Sequence, residues 1–224
     1  MSSRDLEIAQ NLKSVQQRIE QAALTAGRDP AEITLVAVTK TFPLEDIKIL
    51  YQLGVRNFGE NRDQEGSVKA PAMPEDCIWH FQGQIQSNKL KSILSWADVI
   101  HSLDEVKHAA RIAEIGSSAK ILIQVALEQV LRAERGGVDP EELGEFLARV
   151  IDGYKLNICG LMAVAPLGED PASAFHRFAE LQAPLRSRWP QLSTLSAGMS
   201  NDFQAAIAAG ATLVRVGSSI LGSR

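Results

Sequence analysis

Apolar residues recur at helical spacing through the opening of the chain, with Leu6, Leu12, Val15, Ile19 and Leu24 separated by charged and amide side chains. The pattern predicts an amphipathic helix that closes near Gly27 and Pro30. Beyond it the rhythm changes to short apolar, β-branched runs near 33–40, 55–59, 77–82, 98–102, 119–127, 156–164, 193–196 and 212–216, each read as a strand. Helical spacing between the runs predicts helices near 44–53, 61–70, 87–95, 104–115, 140–151, 171–188 and 201–209. Pro43, Asp104 and Pro140 stand at the entries of three of them, where a fixed φ or a side-chain acceptor helps the first turn.

Strands that alternate with helices must run parallel and be joined by crossovers. Eight such strands in one chain of 224 residues predict a single-domain α/β (β/α)8 TIM barrel over 1–224, with an extra N-terminal helix. A doubly wound open sheet is the alternative. The stretch from Leu127 to Val138, which holds Arg132, Glu134, Arg135 and the pair Gly136-Gly137, reads as the longest loop and a mobile lid.

Charge narrows the range of partners. A net charge of −4 gives no basic face for nucleic acid or an acidic membrane. No run approaches the roughly 20 apolar residues of a membrane span, and the N-terminal segment lacks the apolar centre of a signal peptide. Cys77 and Cys159, the only cysteines, each fall in an apolar run, so no disulfide framework is expected and a reducing, cytoplasmic location fits.

Familiar nucleotide and metal signatures are absent. There is no G-x-G-x-x-G after a strand and no P-loop, and His80, His101, His108 and His176 lack ligand spacing. The chemistry lies instead at the carboxyl ends of the strands, where a parallel barrel builds its sites. Lys40 closes the first apolar run, and partial desolvation at a barrel rim would free its amine to attack a carbonyl. Small residues follow strands seven and eight, in Ser196 to Asp202 and in Gly217-Ser218-Ser219, where backbone amides, a helix dipole and the Ser200 hydroxyl suit a phosphate. Arg215 lies between Val214 and Val216, as either an ion-pair partner or a fixed donor inside the barrel. Strands one and eight become neighbours when a barrel closes, so a ligand with both an aldehyde and a phosphate would bridge the two ends. Pyridoxal 5'-phosphate has both, together with a pyridine nitrogen for Arg215.

Six motifs in order carry a resemblance over nearly the whole chain: Val36-Ala-Val-Thr-Lys40, Phe58-Gly-Glu-Asn61, Trp79-His-Phe-Gln-Gly83 with Gln86-Ser-Asn-Lys89, Gly160-Leu-Met162, Leu195-Ser-Ala-Gly-Met-Ser-Asn-Asp202 and Val214-Arg-Val-Gly217. Together they resemble the pyridoxal phosphate homeostasis proteins, single-domain relatives of the alanine racemase barrel. The resemblance implies that Lys40 holds the cofactor covalently as a Schiff base and that Ser200, Gly217 and Ser218 bind its phosphate. It also implies that Arg215 donates to the ring nitrogen, Asn61 lies near the ring, and Met162 and His80 line the pocket. Ala197 departs from the family's usual Ser-Met-Gly triplet but leaves the loop amides in place.

The implied role is a cytoplasmic, non-enzymatic carrier that buffers pyridoxal phosphate, influences vitamin B6 and amino-acid or keto-acid balance, and passes the cofactor to apoenzymes. A guanidinium at the ring nitrogen cannot supply it with a proton, which mutes the ring as an electron sink. Racemases of this barrel use a tyrosine from an added domain. A chain that reads to Arg224 is expected to have no such domain and to be a monomer, and Tyr51 and Tyr154 fall within or at the end of helical segments. An amino-acid racemase and a sugar-phosphate-binding barrel are the competing functions.

Overall fold

A computed structural model describes residues 2–128 and 136–222. The N-terminal helix α1 (Ser3–Thr25) opens on a capping box between Ser2 and Asp5 and buries Ile8, Leu12, Val15, Ile19 and Ala23. Leu6 and Leu24, expected on that face, are exposed instead, because the stripe at spacings of three and four runs from Ile8 to Ala23. The stripe packs α1 against α8 (Phe203–Ala208) and α9 (Ser218–Leu221), so it lies across the seam where the barrel closes. Polar contacts fix this placement: Arg4 pairs with Asp46, and the Asn11 amide donates to the Ile220 carbonyl.

The strands are β1 (Thr34–Val38), β2 (Asn57–Glu60), β3 (Ile78–Phe81), β4 (Val99–Leu103), β5 (Lys120–Gln124), β6 (Ile158–Met162), β7 (Thr194–Ser196) and β8 (Leu213–Val216). They form a closed parallel barrel in sequential order, and β1 pairs with β8 through Val36 opposite Arg215 and Ala37 opposite Val216. The (β/α)8 barrel is therefore the fold, and the open sheet is excluded. Buried aliphatic and aromatic side chains fill the layer between strands and helices, including Phe58, Phe81, Phe175, Phe178 and Phe203. Each contributes about 2–3 kcal/mol by leaving water.

The remaining helices are α2 (Leu44–Gln52), α3 (Asp63–Lys69), α4 (Leu90–Ile93), α5 (Val106–Ile115), α6 (Leu143–Leu147) and α7 (Pro171–Arg188). The helix expected near 140–151 begins later and continues as a wider π-type turn over Ala148–Gly153. Asp104, expected at a helix entry, does not cap α5; its carboxylate accepts the Gly137 N–H instead. Of the expected lid, 129–135 lies outside the described residues. Val138 pairs with Val125, which ties the returning end of that segment to the barrel.

Candidate functional site

Lys40 sits two residues past β1, in a turn rather than on the strand. Its side chain is exposed, not partly desolvated as its place at a strand end suggested, and it lines an open cavity with Thr41, Asn61, Arg62, Glu65, Gly83 and Gln84. Lys40 and Asn61 are thus brought together at the carboxyl mouth of the barrel. Gly83 permits the close approach of this rim, since a Cβ there would lie 1.9 Å from the Asn61 carbonyl oxygen.

Inside the barrel, Arg215 is 5% exposed. Among the described residues it pairs with no carboxylate. One NH1 proton goes to Ser196 Oγ at 2.6 Å and one NH2 proton to the Ala163 carbonyl at 3.1 Å. Of its five N–H donors these two are used, and three have no acceptor among the described residues. Burial lowers its pKa to about 10, with Asp202 acting in the opposite sense, so it remains a cation at neutral pH.

From Ser196 a chain of hydrogen bonds crosses the barrel. Ser196 Oγ lies 3.0 Å from His101 Nδ1, His101 Nε2 lies 2.9 Å from His80 Nδ1, and His80 Nε2 lies 3.0 Å from Asn57 Oδ1. Burial holds His80 at a pKa of about 3 and His101 well below the ordinary histidine value, so both rings are neutral. One arrangement of protons satisfies every link. Arg215 donates to Ser196, Ser196 to His101, His101 to His80 and His80 to Asn57, with both imidazoles carrying hydrogen on Nε2. His80 is buried within this relay and is not among the residues that line the Lys40 cavity. Met162 is buried on β6 in register with Ser196.

The small-residue loops meet as their spacing suggests. Ser200 Oγ accepts the Ser219 N–H at 3.2 Å, so Ser219 is the residue that joins the two loops, while Ser218 is exposed. The N–H groups of Gly217 and Ser218 have no acceptor among the described residues. Gly198, at φ 88°, is required here: a Cβ would lie 2.6 Å from the Phe203 Cα. Sequence reasoning singled out Lys40, Asn61, Ser200, Arg215 and the Gly217 loop, but it gave His101 no role and took Ser196 and Ser219 only as members of small-residue loops. For Ser196 and His101 the signal was only a polar residue on an apolar strand, and for Ser219 only a place in the small-residue cluster after β8.

The family profile described as alanine racemase, N-terminal domain, matches residues 7–224. The chain is 38% identical over 230 residues to a pyridoxal phosphate homeostasis protein of Escherichia coli (strain K12), covering 97% of each. It is 36% identical to one from Mycobacterium tuberculosis (strain ATCC 25618 / H37Rv), covering 99% of this chain and 94% of that one. Among solved structures it resembles PipY of Synechococcus elongatus PCC7942 with pyridoxal phosphate bound, at 36% identity and a TM-score of 0.81, covering 96% of this chain and all of that one. An alanine racemase from Corynebacterium glutamicum shares the fold, with a TM-score of 0.73 at 15% identity, and there the match covers 96% of this chain and 60% of that one. A barrel closed by the same strands, a rim lysine, a buried arginine and two amide-rich loops accompany these similarities, and the chain belongs to the alanine racemase N-terminal domain family and, within it, to the pyridoxal phosphate homeostasis proteins.

Proposed function

We propose that this protein binds pyridoxal 5'-phosphate at the mouth of the barrel and serves in its homeostasis, holding the cofactor through Lys40 without efficient catalysis. The observation that carries the reading is Arg215, a buried cation with unused donors two strand positions from the Gly217 loop. The residues fit such a ligand: among the described residues the Gly217 and Ser218 amides have no acceptor, and the buried Gln82 Nε2 has no partner. When bound, the cofactor supplies an aldehyde, a phosphate and a ring nitrogen.

Lys40 would offer its amine to the aldehyde, Ser200 with the Gly217 and Ser218 amides would accept the phosphate into their hydrogen bonding, and Asn61 would border the ring. Arg215 would donate to the ring nitrogen. With a pKa of about 10 it keeps its proton and donates a hydrogen bond only. The neutral relay behind it holds the guanidinium in place and offers no acid of its own.

The non-enzymatic reading is supported by the two tyrosines. Tyr51 Oη donates to Asp76, Tyr154 follows the π-type turn after α6, and neither lines the Lys40 cavity. Passing the cofactor to apoenzymes, a monomeric state and a cytoplasmic location belong to the same proposal; the unpaired Cys77 and Cys159 support the last. The test is the absorbance of protein reconstituted with pyridoxal phosphate. A visible absorbance band of the bound cofactor that is lost in Lys40→Ala is expected, together with negligible turnover of alanine or serine enantiomers. Absence of the band would favour the sugar-phosphate barrel, and Lys40-dependent racemisation at enzyme-like rates would make the protein a racemase.

A further inference from the structure

Beneath Lys40 lies a polar cluster that the binding of a cofactor does not require. Lys69 is buried at 8% exposure, and its three ammonium protons meet three acceptors: the Thr39 carbonyl at 2.9 Å, Glu60 Oε1 at 2.8 Å and Glu65 Oε2 at 2.7 Å. Glu60 Oε1 also accepts from Thr39 Oγ1 at 2.7 Å, and Glu65 Oε2 also accepts from the Thr41 N–H at 2.7 Å. The backbone is therefore held immediately before and immediately after Lys40, while Lys40 is no part of the cluster.

Thr41 has φ 67°, a left-handed conformation that a β-branched residue adopts only when its surroundings impose it. Glu65 Oε2 holds the Thr41 amide through a charge-assisted bond of 2.7 Å. An anchor for α3 alone would need Lys69 and Glu60 and no bond to Thr41. Glu65, which also lines the Lys40 cavity, makes that bond.

We propose that Glu65, backed by Lys69 and Glu60, is a positioning residue that presets the Lys40 turn, so that the amine meets its ligand without first ordering the backbone. Ordering a turn at the moment of binding would lower affinity; the clamp meets that cost during folding. The inference rests on Lys40 as the attachment point, and the experiment separates the two ideas.

Amide hydrogen exchange at Thr41 in the ligand-free protein reads the clamp, and the Kd for pyridoxal phosphate, measured by spectroscopic titration, reads its consequence. Glu65→Ala is expected to speed Thr41 exchange and to raise the Kd by about tenfold each, the weight of one hydrogen bond to a charged group. Glu65→Gln, which keeps an oxygen acceptor for Thr41, should recover part of both effects and guards against a folding defect in the alanine variant. Faster Thr41 exchange with an unchanged Kd would overturn the positioning role, as would unchanged exchange. Lys40→Ala in parallel should abolish tight binding; if it binds as well as the parent, the attachment reading itself fails and the clamp's purpose with it.

Discussion

Acidification should weaken this fold through the His80–His101 pair, by an amount the structure sets. His80 titrates near 3 when folded and near 6.5 when unfolded, so the native state excludes a proton that the unfolded chain takes up. For such a depressed pKa the stabilisation is complete above the unfolded value and is lost as pH falls from about 6.5 toward about 3. At about 1.36 kcal/mol per pH unit, moving from about pH 7.5 to about pH 5 removes about 2 kcal/mol through His80. His101 shifts in the same direction, chiefly by burial, and adds a loss of its own. His80→Gln isolates the first contribution, because its amide can donate to Asn57 Oδ1 and accept from His101 Nε2 without titrating. Urea unfolding of both proteins at the two pH values is the assay. The variant should lose about 2 kcal/mol less than the parent, a difference of roughly 1 M in midpoint for a chain of this size. Parallel losses in the two proteins would refute a neutral, buried His80.

Three further outcomes follow from contacts within the barrel. Gly160→Ala would place a Cβ 2.0 Å from the Thr194 carbonyl oxygen on the neighbouring strand, and should cost about 3 kcal/mol and lower Tm by about 6–12 °C in calorimetry; a Tm within about 2 °C of the parent would show that β6 and β7 can separate freely. Arg215→Met removes a buried cation that has no carboxylate partner among the described residues, so urea stability should change by less than about 2 kcal/mol while retention of pyridoxal phosphate on a desalting column falls; a large loss of stability would make Arg215 chiefly structural. Ser200→Ala should weaken retention about tenfold, and unchanged retention would count against the phosphate role of that loop.

Much of the site was legible because a parallel barrel places chemistry where its strands end. Lys40, Asn61, Ser200 and Gly217 each follow an apolar run, and strand ends converge once the barrel closes. Arg215 was legible as an oddity within a strand, but its partners were not. A carboxylate seemed a natural companion, yet the barrel supplies the Ser196 hydroxyl and the Ala163 carbonyl. His80 was singled out by its motif, but its bonds to His101 and Asn57 depend on strand register and were not legible. Helix boundaries were least legible where tertiary contacts replace local capping, as at Asp104, whose carboxylate turns to Gly137.

Local pattern alone determined that this chain alternates strand and helix eight times over, and that it carries an amine and two amide-rich loops at the ends of its strands. Those properties depend on side-chain period and on residue size, both written along the chain. Closure of the sheet through the β1–β8 pairing was decided by the tertiary structure. Only the tertiary structure decided that Arg215 heads a neutral relay through Ser196, His101 and His80, and that Glu65 and Lys69 grip the turn around Lys40. Alternation says which side of a strand a residue faces. Which partner it meets there depends on register between strands far apart in sequence, and inside a low-dielectric barrel that partner decides protonation and orientation.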